Sequence, residues 1–184
     1  MNFELQPHLE NNLIRIQPLQ ESDFEGLYAV AADPLLWEQH PNPDRYRRDV
    51  FQTFFKGAME SGGAFLAFDA KTNQPIGSSR YSDLNEAART VCIGYTFIAR
   101  SHWGGKYNPA LKTLMLDHAF RFVDAVIFKI GACNIRSQTA IERLGARKTG
   151  EALIEYFGEA GKPNFIYEIK KKEWEKNRLR LRSA

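Results

Sequence analysis

The sequence predicts a mixed α/β fold: one central mixed sheet with helices on both faces. Three observations carry this. The segments run strand, two helices, three strands, helix, strand, helix, two strands. The apolar spacing switches between strand-like and helical periods along the chain, as at Pro109 and again at Asn134. Across all 184 residues there is no repeat, low-complexity tract or linker. We expect a single domain over 1–184, with a core of about 9–174 and a basic tail at 175–184.

The elements follow in order. Leu13 to Leu19 alternates apolar and polar, as a half-buried strand does. Ser22 with Glu25 three residues on reads as a capping box for a helix through Phe24, Leu27, Tyr28 and Ala31, which Pro34 stops. A Pro-rich loop from Pro41 to Asp44 leads to a second helix through Val50, Phe51, Phe54 and Phe55, ended by Ser61-Gly62-Gly63. Strands are expected at 64–69, 75–82 and 90–99, with turns at 71–74 and 83–89. From Pro109 the residues Leu111, Leu114, Met115, His118, Ala119 and Phe122 share one helical face. Val126 to Ile130 is a short apolar strand, and Asn134 to Leu144 a helix that Gly145 ends. Strands near Arg147 to Phe157 and Asn164 to Ile169 complete the fold around a Gly158 to Pro163 turn.

Composition sets limits. An apolar share of 43% and a charged share of 26% are ordinary for a globular chain. No apolar run nears the roughly 20 residues that span a bilayer. Met1 to Glu10 has no apolar stretch of signal-peptide type, so a cytoplasmic protein without membrane contact is expected. Cys92 and Cys133 both lie in apolar sequence and read as two buried thiols in a reducing compartment, a disulfide being the alternative. The four histidines and two cysteines lack the short spacings of zinc sites, so no metal is expected. The formal charge is +3, with much of the excess between Lys170 and Arg182. That tail reads as a solvated terminal helix, and a nucleic-acid partner is not expected.

Arg100-Ser101-His102-Trp103-Gly104-Gly105-Lys106-Tyr107-Asn108 lies between a strand and a helix. Such a loop offers an anion free backbone amides and the positive end of a helix dipole. Gly104 and Gly105 let the backbone approach closely, and Lys106 adds a cation. A Gly-Gly pair before a helix is also simply a turn, so the two readings stay open here. The Walker and dinucleotide-binding spacings are both absent.

Four segments together resemble the GNAT superfamily of N-acetyltransferases, and within it the branch that acetylates ribosomal-protein N-termini. The likeness covers roughly Leu9 to Trp174. Leu13-Ile14-Arg15-Ile16-Gln17-Pro18-Leu19 with Ser22-Asp23-Phe24 is similar to the branch's opening "L-R-x-L-x-P-L…D". Trp103 to Asn108 stands where the family has its "W-G-x-G-Y/L-A/G" pyrophosphate loop, and Tyr167 to Trp174 resembles a closing "Y-x-x-x-x-x-E-W". The most specific match is Asn134 to Ala146, which resembles "N-x-x-S-x-x-h-x-x-x-h-G-F/A" with Asn134, Ser137, Leu144 and Gly145 in register. Two positions depart from the family: Lys106 replaces the loop's second glycine, and Asn108 its following small residue. A side chain at 106 either crowds the pyrophosphate or pairs its ammonium with it.

The resemblance implies a GNAT-like acyl-CoA N-acyltransferase fold with a splayed sheet, and acetyl-CoA as co-substrate. It implies that backbone groups of Phe97, Ile98 and Ala99 bind the pantetheine, and that Ser101, His102, Trp103, Gly104, Gly105, Lys106, Tyr107 and Asn108 take the pyrophosphate. Asn134 and Arg143 join the cofactor set, Asn134 being equally a helix N-cap. Ser137 is the expected acid for the leaving thiolate. Glu155 is the candidate base, with His102 the alternative and a bystander role open for both. Tyr95, Tyr156 and Trp37 line the acceptor pocket or belong to the core. The implied reaction is acetyl transfer to a primary amine, on a protein N-terminus or a small molecule, by direct attack in a ternary complex. The other reading is a non-catalytic CoA-binding or sensor module with the same fold. A homodimer is an open alternative to a monomer.

Overall fold

The computed structural model describes residues 2–158 and 160–182, the last four as main chain only. Met1, Glu159 of the predicted turn, and Ser183 and Ala184 of the predicted tail lie outside the described residues. The described strands are β1 (Leu9–Glu10), β2 (Ile14–Pro18), β3 (Ala64–Asp69), β4 (Pro75–Asn85), β5 (Thr90–Ile98), β6 (Ala125–Gly131), β7 (Arg147–Ile154) and β8 (Lys162–Lys170). The helices are α1 (Phe24–Ala31), α2 (Arg48–Glu60), α3 (Tyr107–Ala119), α4 (Ile135–Arg143) and α5 (Lys171–Arg182). The strands form one sheet in the order β1-β2-β3-β4-β5-β6-β8-β7. Among the described residues β5 and β6 are its one parallel pair, joined through α3, and every other pairing is antiparallel.

Two apolar layers sandwich this sheet, as alternating strand residues require. On one face Ile14, Ile16, Phe65, Tyr81, Val91 and Ile93 pack with Leu111 and Met115 of α3 and Ile141 of α4. On the other face Leu27 of α1 and Phe51, Phe54 and Phe55 of α2 pack with Leu66 and Phe97. Among the described residues no helix is long and apolar enough to cross a membrane.

Several expectations need correction. The capping box lies two residues early: the amide of Gln20 donates to the Asp23 carboxylate at 2.8 Å, because a 3-10 turn over Glu21–Asp23 precedes α1. Cys133 is exposed in the turn before α4, so only Cys92 is a buried thiol, and both are free. The core is wider than 9–174, since Phe3 is buried against Tyr81 and His118. The terminal helix is docked, not merely solvated. Trp174 is 2% exposed and its indole N–H donates to Asp117, which also pairs with Arg178.

Candidate active site

The site begins where β5 leaves β6. Their register holds at only Thr90↔Ala125, Val91↔Val126 and Cys92↔Ile127, after which they are unpaired. The cause lies in β5 itself. Between the pairs Arg80↔Gly94 and Ser78↔Phe97, β4 spends one residue where β5 spends two, which is a β-bulge. Tyr95 occupies it with φ +51°, a conformation rare for a side chain of that size. Ser79 and Thr96 brace the bulge through their hydroxyls at 2.8 Å. A bulge turns a strand, and this one carries β5 away from its parallel neighbour.

The exposed edge of β5 is narrower than expected. The Ala99 amide donates to the Ile76 carbonyl at 2.7 Å and so faces β4. Alternation puts the main-chain groups of Phe97 on that same side and those of Ile98 on the gap side. The Ile98 carbonyl is taken by the Trp103 indole N–H at 2.8 Å. Of the three predicted positions, the one main-chain group left for a guest is therefore the Ile98 amide.

At the mouth of the gap the loop is pinned by its side chains. Tyr107 and His102 both reach Asp69 at the end of β3, the Tyr107 hydroxyl at 2.5 Å and the His102 ring at 3.5 Å. The Tyr107 hydroxyl foremost, then the Thr72 amide, holds the Asp69 carboxyl well below the usual carboxylate range against the opposing effect of burial. Arg100 pairs with Asp33, and Arg136 of α4 stacks on Trp103 at 3.8 Å. Ser101 stays exposed, with its hydroxyl bonded to the His102 ring. These contacts leave the backbone free. Among the described residues none of the amides from Gly104 to Asn108 donates within the protein. A Cβ at Gly104 or Gly105 would meet nothing within 4 Å, so both face open space. Gly104 has φ +70°, but Lys106 sits at φ −88° and ψ −10°, where any residue is at ease. The departure at 106 costs the backbone nothing. Five open amides at a helix N-terminus are the donor set a pyrophosphate requires, so the residues present fit the cofactor.

Across the mouth, Asn134 caps α4 by accepting from the Ser137 amide at 3.1 Å. Gln138 ties that turn to β6 through the Gly131 and Ala132 carbonyls. Ser137 is half-buried and its hydroxyl has no partner among the described residues. Arg143 is exposed in the last turn of α4, and Glu155 is exposed just beyond β7.

Sequence reasoning missed three buried cations, Lys112, Arg80 and Arg45. Lys112 of α3 is buried at the gap on one face of the sheet, bonded to Thr96 of β5 and 5.8 Å from the Phe128 ring of β6. Burial lowers its pKa to about 7. Arg80 of β4 is buried on the opposite face, and burial first, then the charge of Arg45, lowers its pKa to about 10. The signal of Lys112 was readable, since it is a charged residue on the helical face of Met115, Leu116 and Ala119; Arg80, between Ser78 and Ser82 on its side of β4, gave none. Among the described residues no cluster of three or more His, Cys, Asp and Glu could hold a metal.

An acetyltransferase (GNAT) domain model matches residues 14–147. This chain belongs to the GNAT acetyltransferase family. No curated protein sequence matches it. Its fold is similar to a GCN5-related N-acetyltransferase from Brucella melitensis (15% identity, TM-score 0.82, covering 95% of this chain and 83% of that one). It is also similar to spermidine N-acetyltransferase from Vibrio cholerae solved with CoA and spermine (16%, 0.66, 89% and 99%). A third is RimJ from Mycobacterium smegmatis with CoA-disulfide (16%, 0.68, 91% and 88%).

Proposed function

We propose that this protein transfers an acetyl group from acetyl-CoA to a primary amine within a ternary complex. The observation that carries the reading is the β5–β6 gap, with five unpaired amides at its mouth. The CoA held by two of the similar structures supports it. The exposed thiol of Cys133 fits a reducing, cytoplasmic setting.

Acetyl-CoA supplies an activated thioester carbonyl. This chain's residues would hold it and manage protons. The amides from Gly104 to Asn108 and the Lys106 ammonium balance the pyrophosphate charge. The Ile98 amide donates toward the pantetheine. A direct transfer forms the amine N–C bond as the C–S bond breaks, so one proton must leave the nitrogen and one must reach the sulfur. Ser137, whose hydroxyl is uncommitted at the mouth, is suited to donate to the sulfur. Glu155 is the candidate to accept the amine proton through solvent. Cys92 is no acyl carrier, because burial pushes its thiol up to about 12.

Of the three similar structures only the spermidine N-acetyltransferase names an acceptor, and the ribosomal-protein branch remains one form of this reading. Acetyl-CoA consumption against a panel of peptides and small amines tests it. With an active acceptor, Ser137→Ala should lower kcat by roughly 10- to 100-fold while the acetyl-CoA dissociation constant moves less than about threefold. An unchanged kcat removes Ser137 from the mechanism. Binding of acetyl-CoA with no turnover on any amine favours the sensor-module reading.

A further inference from the structure

Lys112 crosses the floor of the gap. It enters from α3, on the helical face that also carries Met115, Leu116 and Ala119. Phe128 of β6 and Ile98 of β5 turn their side chains toward α3, while Phe97 turns to the opposite face. Thr96 shares the side of Ile98, and its hydroxyl accepts a hydrogen bond from the Lys112 amine. The same amine stands 5.8 Å from the centre of the Phe128 ring. Thr96 and Phe128 belong to the two strands that part, and both lie beyond their last pair at Cys92↔Ile127. The amine therefore bridges the opening from below, and a guest lying lengthwise between the strands passes over it. Thr96 is two residues further from the mouth than Ile98, about 7 Å along the strand.

Packing does not explain this amine. The Thr96 and Ser79 hydroxyls already satisfy one another at 2.8 Å, so the brace of the bulge is complete without it. Among the described residues Thr96 is its one hydrogen-bond partner, and no carboxylate pairs with it. Charged or neutral, a lysine amine that donates once keeps at least one further N–H. A buried donor without an acceptor costs more than an apolar side chain of the same length. Here the surplus donor lies where the strands open.

Resting on the acetyl-transfer reading above, we propose that Lys112 donates a hydrogen bond to a carbonyl oxygen of the acyl-pantetheine arm. Ile98 and Lys112 then hold the arm at two depths, one by main chain and one by side chain. The arm offers two kinds of uncharged acceptor, its amide carbonyls and the thioester carbonyl. On the thioester the donor acts during the reaction as well. Its oxygen takes up the C=O π pair as the amine adds to the carbon, and returns that pair as the C–S bond breaks. A buried, preorganised donor holds the transient charge, and Lys112 keeps its proton throughout. Thr96, braced by Ser79, fixes where the amine stands.

Lys112→Met removes the donor and keeps the length. Its expected gain in stability, read from the unfolding midpoint, separates a loss of binding from a loss of fold. Calorimetry with acetyl-CoA, CoA and ADP compares wild type and variant, ADP carrying the pyrophosphate without the arm. The variant should bind acetyl-CoA at least about 10-fold more weakly, or turn it over at least about 10-fold more slowly, with ADP affinity within about twofold of wild type. CoA identifies the acceptor. A loss that CoA shares assigns an amide carbonyl, and a loss confined to acetyl-CoA or to kcat assigns the thioester. The proposal is overturned where both cofactors bind the variant as they bind wild type and any active amine is acetylated as fast. A loss that ADP shares overturns it too, since the change then reaches the loop and not the arm. Wild type that binds neither acetyl-CoA nor CoA ends the transfer reading and this proposal with it. Binding by wild type that the variant matches ends this proposal alone.

Discussion

Replacing Gly105 with valine should raise the acetyl-CoA dissociation constant by about 100-fold or more and shift the unfolding midpoint by no more than a degree or two. The two halves of this expectation have separate causes. A Cβ at 105 meets nothing within 4 Å, and the residue's φ lies outside the left-handed region, so the fold accepts the side chain. The loop is anchored elsewhere, by Asp69, Asp33 and the Ile98 carbonyl. What valine would fill is the open space before the free amides. An isopropyl group there keeps a phosphate from closing to hydrogen-bond distance on at least two donors, each charge-assisted and worth about 1.5 kcal/mol. Calorimetry with acetyl-CoA and thermal unfolding of the same samples check both halves. Gly104 makes a poorer test, since its φ of +70° adds strain to any substitution. Undiminished affinity in Gly105→Val means the pyrophosphate does not sit on this loop.

A second large effect concerns Lys112. Its amine is 4% exposed, bonded to Thr96, and lowered by burial to about 7 from an ordinary 10.5. Below pH 7 folded and unfolded chains are both protonated there, and the folded state bears the full cost of a buried charge. Between pH 7 and 10.5 the unfolded chain holds more protons than the folded one, so this group's penalty fades as pH rises. Lys112→Met should therefore be more stable than wild type by roughly 2–4 kcal/mol at pH 6.5, with the difference shrinking toward zero near pH 10. Thr96 keeps Ser79 as a hydroxyl partner in the variant, so no new unsatisfied group offsets the gain. Denaturant unfolding of both proteins at the two pH values measures it. A pH-independent difference would mean that Lys112 holds its proton as tightly in the folded chain as in the unfolded one. A cation kept at this expense beside the gap points to use rather than packing.

The parts of the fold set by local chemistry were legible in the sequence. Gly145 ends α4 with φ +96°, Pro109 falls in the first turn of α3, and Asn134 caps α4 as its spacing implied. What stayed hidden depends on partners distant along the chain. The bulge at Tyr95 exists only against β4, and nothing in the run Gly94-Tyr95-Thr96 announces it. The two-residue strand β1 is too short to show a period. His102, Trp103 and Tyr107 read as cofactor ligands because of where they stand in the motif. Their side chains instead reach Asp69 and the Ile98 carbonyl, and their loop offers its backbone outward. Lys112 could have been found, because it breaks the apolar helical face of Met115, Leu116 and Ala119, whereas Arg80 stands between Ser78 and Ser82 on its side of β4 and gives no such signal.

Hydrogen exchange at single-residue resolution, with and without acetyl-CoA, tests the gap most directly. The register turns the Ile98 amide toward the gap, and among the described residues the amides of Gly104 to Asn108 have no partner, so all of them should exchange fast when the protein is free. With saturating acetyl-CoA these same amides should slow by at least about tenfold, while those of β7 and α5 hold their rates. Protection that leaves Ile98 and residues 104–108 untouched would place the cofactor elsewhere and contradict the account.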